Sequence, residues 1–349
     1  AGTAFDLYMV GSRQDDARIR QWATQAGIDA GRVRSRAITL NHDAGRWLSL
    51  GLPGDLPAVV RAWADGDTAP GRKVWQTLAD LGVSALNVPE EHDGIGAHPV
   101  DLVVALERIG AHCVPGPVTE SIAVAPVLLA SDAQRSAELA AGELIATAAI
   151  APESPRAVDA EFAGVILVGR DGAVSEGTAE GAHESLDPSR KLFDVNASGD
   201  SWAADVQRAR EFGALATAAQ LIGAGQAMLD LSVQYAKQRS QFGRVIGSYQ
   251  AIKHKLADVH ISLELARPLV YGAALSLHAD SPDTARDVSA AKVAAAEAGL
   301  LAARSALQTH GAIGFTQEHD LGLLLLRAQA LRSAWGDTTA HRRRVLEAL

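Results

Sequence analysis

The chain has 349 residues, 48% of them hydrophobic and only 5% aromatic, enough apolar material for one large core or two to three smaller ones. A net charge of -9, with no basic stripe interleaved with aromatics, argues against a nucleic-acid groove. One cysteine, Cys113, excludes an intrachain disulfide, and no His or Cys group has metal-ligand spacing, so a reducing cytoplasm and no metal are expected.

Along the chain, residues 1–61 form an atypical segment that matches no family. Phe5–Val10 reads as a strand, Asp15–Ala26 as a helix, and Ile38 to Asp43 as a strand entering a turn. Asn41, His42 and Asp43 suit a capping arrangement better than a catalytic cluster. No basic stretch followed by a continuous apolar run opens the chain, so a secretory signal is not expected. Residues 62–143 read as a helical domain, with helices over Lys73–Gly82, Pro99–Gly110 and Pro117–Ala130. Residues 144–206 carry the short β-like runs Ile145–Ile150, Val165–Val168 and Leu192–Val195, which suit a small, reduced antiparallel domain.

Residues 207–349 return to long helices. Leu215, Ile222, Leu229 and Ala236 recur every seven residues, with the small Ala218, Gly225 and Ser232 between them. A second helix from near Ser248 aligns Ile252, Leu256, Val259 and Leu263, and an alanine-rich third runs from about Asp287 to His310. Four amphipathic segments with short turns predict a four-helix bundle. The uncharged stretch Phe212–Leu229 contains Thr217, Gln220 and Gln226, and suits a buried bundle helix rather than a membrane span. His341-Arg342-Arg343-Arg344 is expected to compensate a helix dipole.

Three blocks then carry a resemblance. Gln238-Arg239-Ser240-Gln241-Phe242-Gly243, with Tyr249-Gln250 and Leu256-Ala257-Asp258, is similar to the R-x-x-F-G…Q…L-A-D/E stretch of the acyl-CoA dehydrogenase family. Gln308-Thr309-His310-Gly311-Ala312-Ile313-Gly314-Phe315 resembles the family's Q-x-x-G-G-x-G-F/Y, and Trp335-Gly336-Asp337-Thr338 lies where the family has aromatic-Glu-Gly-Thr. Upstream, Trp75, Leu81-Gly82, Val88-Pro89-Glu90-Glu91 and Gly94-Ile95-Gly96 resemble its N-terminal helical domain. The resemblance implies a mainly α protein with a small β domain and a C-terminal four-helix bundle. It further implies FAD, with Arg239, Gln241, Phe242, Gln308, Gly311 and Ala312 reaching the diphosphate and adenosine of a flavin held by a partner subunit. A planar guanidinium suits a diphosphate, and glycine permits close approach.

The departures lie where the family does its chemistry. Its glutamate base aligns with Gly336, and the alternative base position of a minority of members aligns with Gly213. Neither can take a proton. Glu211 sits two residues early, about 200° around a helix, and Asp337 one residue late, about 100° off, so neither is expected to substitute. The flavin-ring loop T-E-P-x-x-G-S-D is replaced by Ala148-Ala149-Ile150-Ala151-Pro152-Glu153-Ser154-Pro155, and an Arg common at the first C-terminal helix aligns with Ala214. The chain thus resembles the non-catalytic subunit of heteromeric dehydrogenases from actinobacterial steroid degradation. The expected partners are a catalytic subunit in a heterotetramer and, through it, an electron-transferring flavoprotein. A catalytic subunit with a displaced base, Glu211 or Asp337, and a flavin-free scaffold are the alternatives.

Overall fold

The computed structural model describes residues 56–349, apart from 317 and 318, together with two strands near the N-terminus. It divides into two units, residues 1–54 and 55–349. In the first, β1 (Phe5–Met9) pairs in parallel with β2 (Ile38–His42), Phe5 opposite Ile38 and Met9 opposite His42. Asn41 and His42 therefore belong to a strand rather than a turn. Asp43 and the expected helix Asp15–Ala26 lie outside the described residues.

The second unit opens with α1 (Leu56–Ala64), whose Leu56, Val59, Val60 and Trp63 recur at helical spacing and are buried. This helix runs across the expected boundary at residue 62. Next come α2 (Ala69–Asp80), starting one turn earlier than expected, and α3 (Pro99–Ala111). Pro99 begins α3 where no intrahelical N–H is needed, and His98 Nδ1 accepts the Val100 N–H at 3.1 Å. The apolar run after Pro117 is not one α-helix. A buried π-helical turn, Thr119–Val124, leads into the short α4 (Ala125–Leu128). The wider turn matters later, because it carries Glu120 into the interior. Helix α5 (Ala133–Ala141) is capped by Asp132, which accepts the Arg135 N–H at 3.0 Å.

The sheet comprises β3 (Ala146–Ile150), β4 (Ala157–Val158), β5 (Val165–Arg170), β6 (Ala173–His183) and β7 (Leu192–Ala203), in the order β3-β5-β6-β7-β4. It is mixed, which corrects the antiparallel expectation: β3 and β5 run parallel, with Ala146 opposite Val165. The crossover between them holds β4, which pairs antiparallel at the far edge with Phe193 and Leu192. Strand β6, rich in Gly, Glu and Ser and mostly exposed toward its end, carries little apolar alternation and was invisible to that pattern.

The C-terminal helices are α6 (Val206–Gln238), α7 (Gln250–His278), α8 (Thr284–His310), α9 (Leu321–Ser333) and α10 (Thr338–Glu347). Leu215, Ile222, Leu229 and Ala236 of the α6 stripe are all buried. This helix is long and apolar enough to cross a membrane, yet 89% of its apolar window is buried inside the protein. It is the bundle's central helix. A Cβ added at Gly223 would overlap the Glu107 carbonyl, so α3 and α6 meet backbone to backbone there.

One buried ion pair ties three layers together. Arg327 of α9 donates to Asp187 Oδ2 at 2.5 Å, to Ser189 Oγ at 3.0 Å and to the Val114 carbonyl at 3.0 Å. Burial works to raise the Asp187 carboxyl, but the Arg327 guanidinium and the Ser189 hydroxyl outweigh it and hold it below its ordinary range. The bridge joins the sheet-domain loop, the segment after α3 and the final third of the chain.

Candidate functional site

The two positions where a base would stand are filled by rings. At Gly213, in the second turn of α6, an added Cβ would overlap the indole of Trp335. Trp335 is 1% exposed, and its Nε1–H donates to Glu120 Oε1 at 2.9 Å. Its backbone has φ +56°, and Gly336 beside it has φ +96°. This tight reversal between α9 and α10 folds the indole inward onto α6. A Cβ at Gly336 would stand 2.6 Å from His341 Nε2, as well as requiring a left-handed backbone.

His341 faces inward, which corrects its reading as part of a basic cluster compensating a helix dipole. Its Nε2 lies 2.9 Å from the Trp335 carbonyl and its Nδ1 3.1 Å from Ser289 Oγ. A carbonyl only accepts, so Nε2 carries the hydrogen and the Ser289 hydroxyl donates to Nδ1. Burial, with the Lys292 ammonium nearby, pushes the imidazole down to about 4, and it is neutral at physiological pH. Lys292 is wholly buried, donates to the Leu331 carbonyl at 2.6 Å, and is pushed down to about 7 by burial and then by Arg190. The neighbouring arginines are also engaged: Arg342 pairs with Glu297, and Arg344 with Glu153.

The substitutes are committed elsewhere. Asp337 caps α10, accepting the Ala340 N–H at 2.7 Å, and Glu211 accepts a hydrogen bond from Gln207 one turn away at 3.0 Å. Burial raises the Glu211 carboxyl, and Asp205, Arg208 and Asp280 are the charges around it. Ala214 is buried and offers no polar group.

Two regions of the chain differ in how they fit FAD. The loop after β3 that should hold a flavin ring is closed by protein. Glu153 pairs with Arg344 and, at 3.3 Å, with Arg210, whose Nη2 donates to the Ala151 carbonyl at 2.7 Å. The Gly336 N–H donates to the Glu153 carbonyl at 3.2 Å, drawing this loop onto Gly336. With Trp335 over Gly213, the residues present do not fit a flavin ring and acyl chain in this chain's own site.

The edge where the resemblance places diphosphate contacts is open. Arg239 follows the last turn of α6, and its carbonyl accepts the Ile246 N–H at 2.8 Å. A hairpin of β8 (Ser240–Gln241) and β9 (Arg244–Val245) projects beyond it. At its tip Phe242 and Gly243 have φ +53° and +82°, as a two-residue hairpin turn requires. The hairpin is held by Tyr249, whose hydroxyl donates to the Gln241 carbonyl at 3.3 Å and whose ring lies under the Arg244 guanidinium at 3.9 Å. Arg239 and Gln241 are exposed, and Phe242 is 92% exposed. On the last turn of α8 and just beyond it, Gln308, Gly311 and Ala312 are also exposed, and nothing lies within 4 Å of a Cβ built at Gly311. Tyr235, one turn before Arg239, stacks on His310 between Gln308 and Gly311, so both sets stand at one end of the bundle.

Sequence reasoning missed Glu120, His341 and Lys292 as the packing around Gly213 and Gly336. The aromatic at 335 was visible as a motif position, but its inward rotamer was not. The one available signal was the pair of glycines, since each vacates volume that a ring then fills.

Comparison with known proteins gives a consistent picture. Residues 55–143 match the acyl-CoA dehydrogenase N-terminal domain and residues 203–349 the C-terminal domain. The chain is 34% identical over 278 residues to the acyl-CoA dehydrogenase IpdE2 of Mycobacterium tuberculosis, covering 78% of this chain and 85% of that one. Among solved structures, it superposes on a variant of the Tcur3481-Tcur3483 steroid ACAD with a TM-score of 0.72 and 21% identity, covering 87% of this chain and 97% of that one. The ChsE4-ChsE5 complex from Mycobacterium tuberculosis gives 0.70 and 22%, covering 86% and 96%.

Proposed function

The chain belongs to the acyl-CoA dehydrogenase family, and we propose that it is the non-catalytic subunit of a heteromeric, FAD-dependent acyl-CoA dehydrogenase. One observation carries this reading: both base positions are glycines whose missing side chains are replaced by packed rings, Trp335 at Gly213 and His341 at Gly336. A site that had lost only its base would leave a hole. This one is filled and hydrogen-bonded. The partner supplies the glutamate base, the flavin-ring loops and the acyl pocket. The likeness to two-component dehydrogenases, one of them described as acting on steroids, supports a heterotetramer working on bulky acyl-CoA substrates. Electron-transferring flavoprotein is the proposed acceptor, reached through the complex.

In the same reading Arg239, Gln241, Phe242, Gln308, Gly311 and Ala312 contact the diphosphate and adenosine of FAD held by the partner. Bound FAD supplies hydride acceptance. This chain's residues bind and orient its remote end. The retained, exposed Arg239 and Gln308 disfavour a flavin-free scaffold, and the engaged states of Glu211 and Asp337 disfavour a displaced base.

Arg239→Ala in the co-expressed complex tests the trans contact. Loss of a charge-assisted bidentate contact should cost about 1.5–3 kcal/mol of flavin affinity. Flavin titration should show that loss while size-exclusion chromatography shows the subunits still associated. Unchanged flavin affinity would assign Arg239 a structural role.

A further inference from the structure

The two arms of the open edge lie on different helices, and something must fix their spacing. Arg239 ends α6 and Gln308 lies on the last turn of α8, about 70 residues further along. A ligand spanning both is held well only if their separation is set before it arrives. The groups that join them form a row of three rings. Tyr235 of α6 stacks on His310, with centroids 4.5 Å apart and planes 26° apart, and His310 meets the edge of His319 at 4.9 Å. His319 lies beyond the 3-10 turn Gly311–Phe315, and its Nδ1 accepts the Leu321 N–H at 3.1 Å. The row therefore links the segments bearing Arg239, Gln308 and Gly311.

His310 stands at the centre of the row. It is 5% exposed, and its Nδ1 donates to the Ala306 carbonyl at 2.8 Å. That leaves Nε2 as an acceptor, and it is buried with no partner among the described residues. The geometry points to His310 as a cofactor-positioning residue: its ring, clamped between Tyr235 and His319, sets the distance between Arg239 and the Gln308–Gly311 edge. This rests on the trans-FAD reading above and goes beyond it by assigning the spacing to one buried ring that need not touch the flavin.

The test is flavin affinity of the co-expressed complex, measured by the fluorescence of released FAD, for His310→Ala, His310→Phe and Arg239→Ala. His310→Ala should weaken FAD binding roughly tenfold by releasing the two helix ends, a displacement of the kind that misaligns a bound group. His310→Phe keeps a stacking ring and should hold affinity within about twofold of the unsubstituted complex. Unchanged subunit association in both variants shows that folding is intact. If His310→Ala leaves affinity unchanged while Arg239→Ala lowers it, the positioning role is wrong and the trans reading stands. A loss in His310→Phe as large as in His310→Ala also overturns the stacking role. If neither Arg239→Ala nor His310→Ala alters flavin affinity, the trans reading itself fails.

Discussion

Gly336→Glu is expected to destabilise the fold by about 2–5 kcal/mol and to restore no dehydrogenase activity. The backbone at Gly336 has φ +96°, and a non-glycine residue there costs roughly 1–2 kcal/mol. The new Cβ would also meet His341 Nε2 at 2.6 Å, displacing an imidazole that donates to the Trp335 carbonyl. Leaving that buried pair unsatisfied costs about 1–3 kcal/mol more. Gly336→Ala should already show most of the loss, because the strain arises at φ and Cβ rather than at the carboxylate. A well-placed general base contributes roughly 10²–10⁴-fold to rate, but only when substrate and cofactor are held in register. Here Trp335 occupies the Gly213 face and the Glu153 loop closes the other side, so the carboxylate would have nothing to act upon. The measurements are the urea unfolding midpoint and acyl-CoA-dependent flavin bleaching. A pocket silenced by one substitution predicts strong rescue, which would refute the filled-site account.

The second large effect concerns the buried bridge. Arg327→Leu should cost about 3–5 kcal/mol, because it strands the Asp187 carboxylate in the interior. Arg327→Leu combined with Asp187→Leu should cost distinctly less than the sum of the two single changes, since no charge is left unpaired. Some loss should remain, because Asp187 Oδ1 also accepts the Ser189 N–H at 3.0 Å and the Ser189 hydroxyl at 2.6 Å. Urea midpoints of the four proteins close the cycle. Strictly additive losses would show that the pair is not coupled, and that the three layers are held by packing alone.

The parts of the fold written in periodic side chains were legible. The α6 stripe Leu215, Ile222, Leu229 and Ala236 is buried as its seven-residue spacing implies, and Pro99 marks a helix start. Strand β6 was not legible, because Gly177, Glu180 and Gly181 carry no alternation and are ordered by their neighbours. The parallel pairing of β3 with β5 is a topological fact that no local pattern encodes. At the site, the sequence shows glycine at 213 and 336, where the resemblance would place a base. What replaced it depends on an inward rotamer at Trp335 and on His341 turning away from the arginines that follow it, which only the tertiary structure decides. Glu120 illustrates the limit most plainly. It falls within the expected helix Pro117–Ala130, yet the π-helical turn buries it completely against the Trp335 indole.

The most direct measurement is flavin content and acyl-CoA-dependent flavin reduction of this polypeptide purified alone, beside the same chain co-purified with its partner. A filled cis site predicts a colourless isolated protein with no turnover across short, long and polycyclic acyl-CoA thioesters. The complex should instead carry one FAD per pair of unlike subunits. A yellow, self-associated preparation of this chain that oxidises any acyl-CoA would contradict the account.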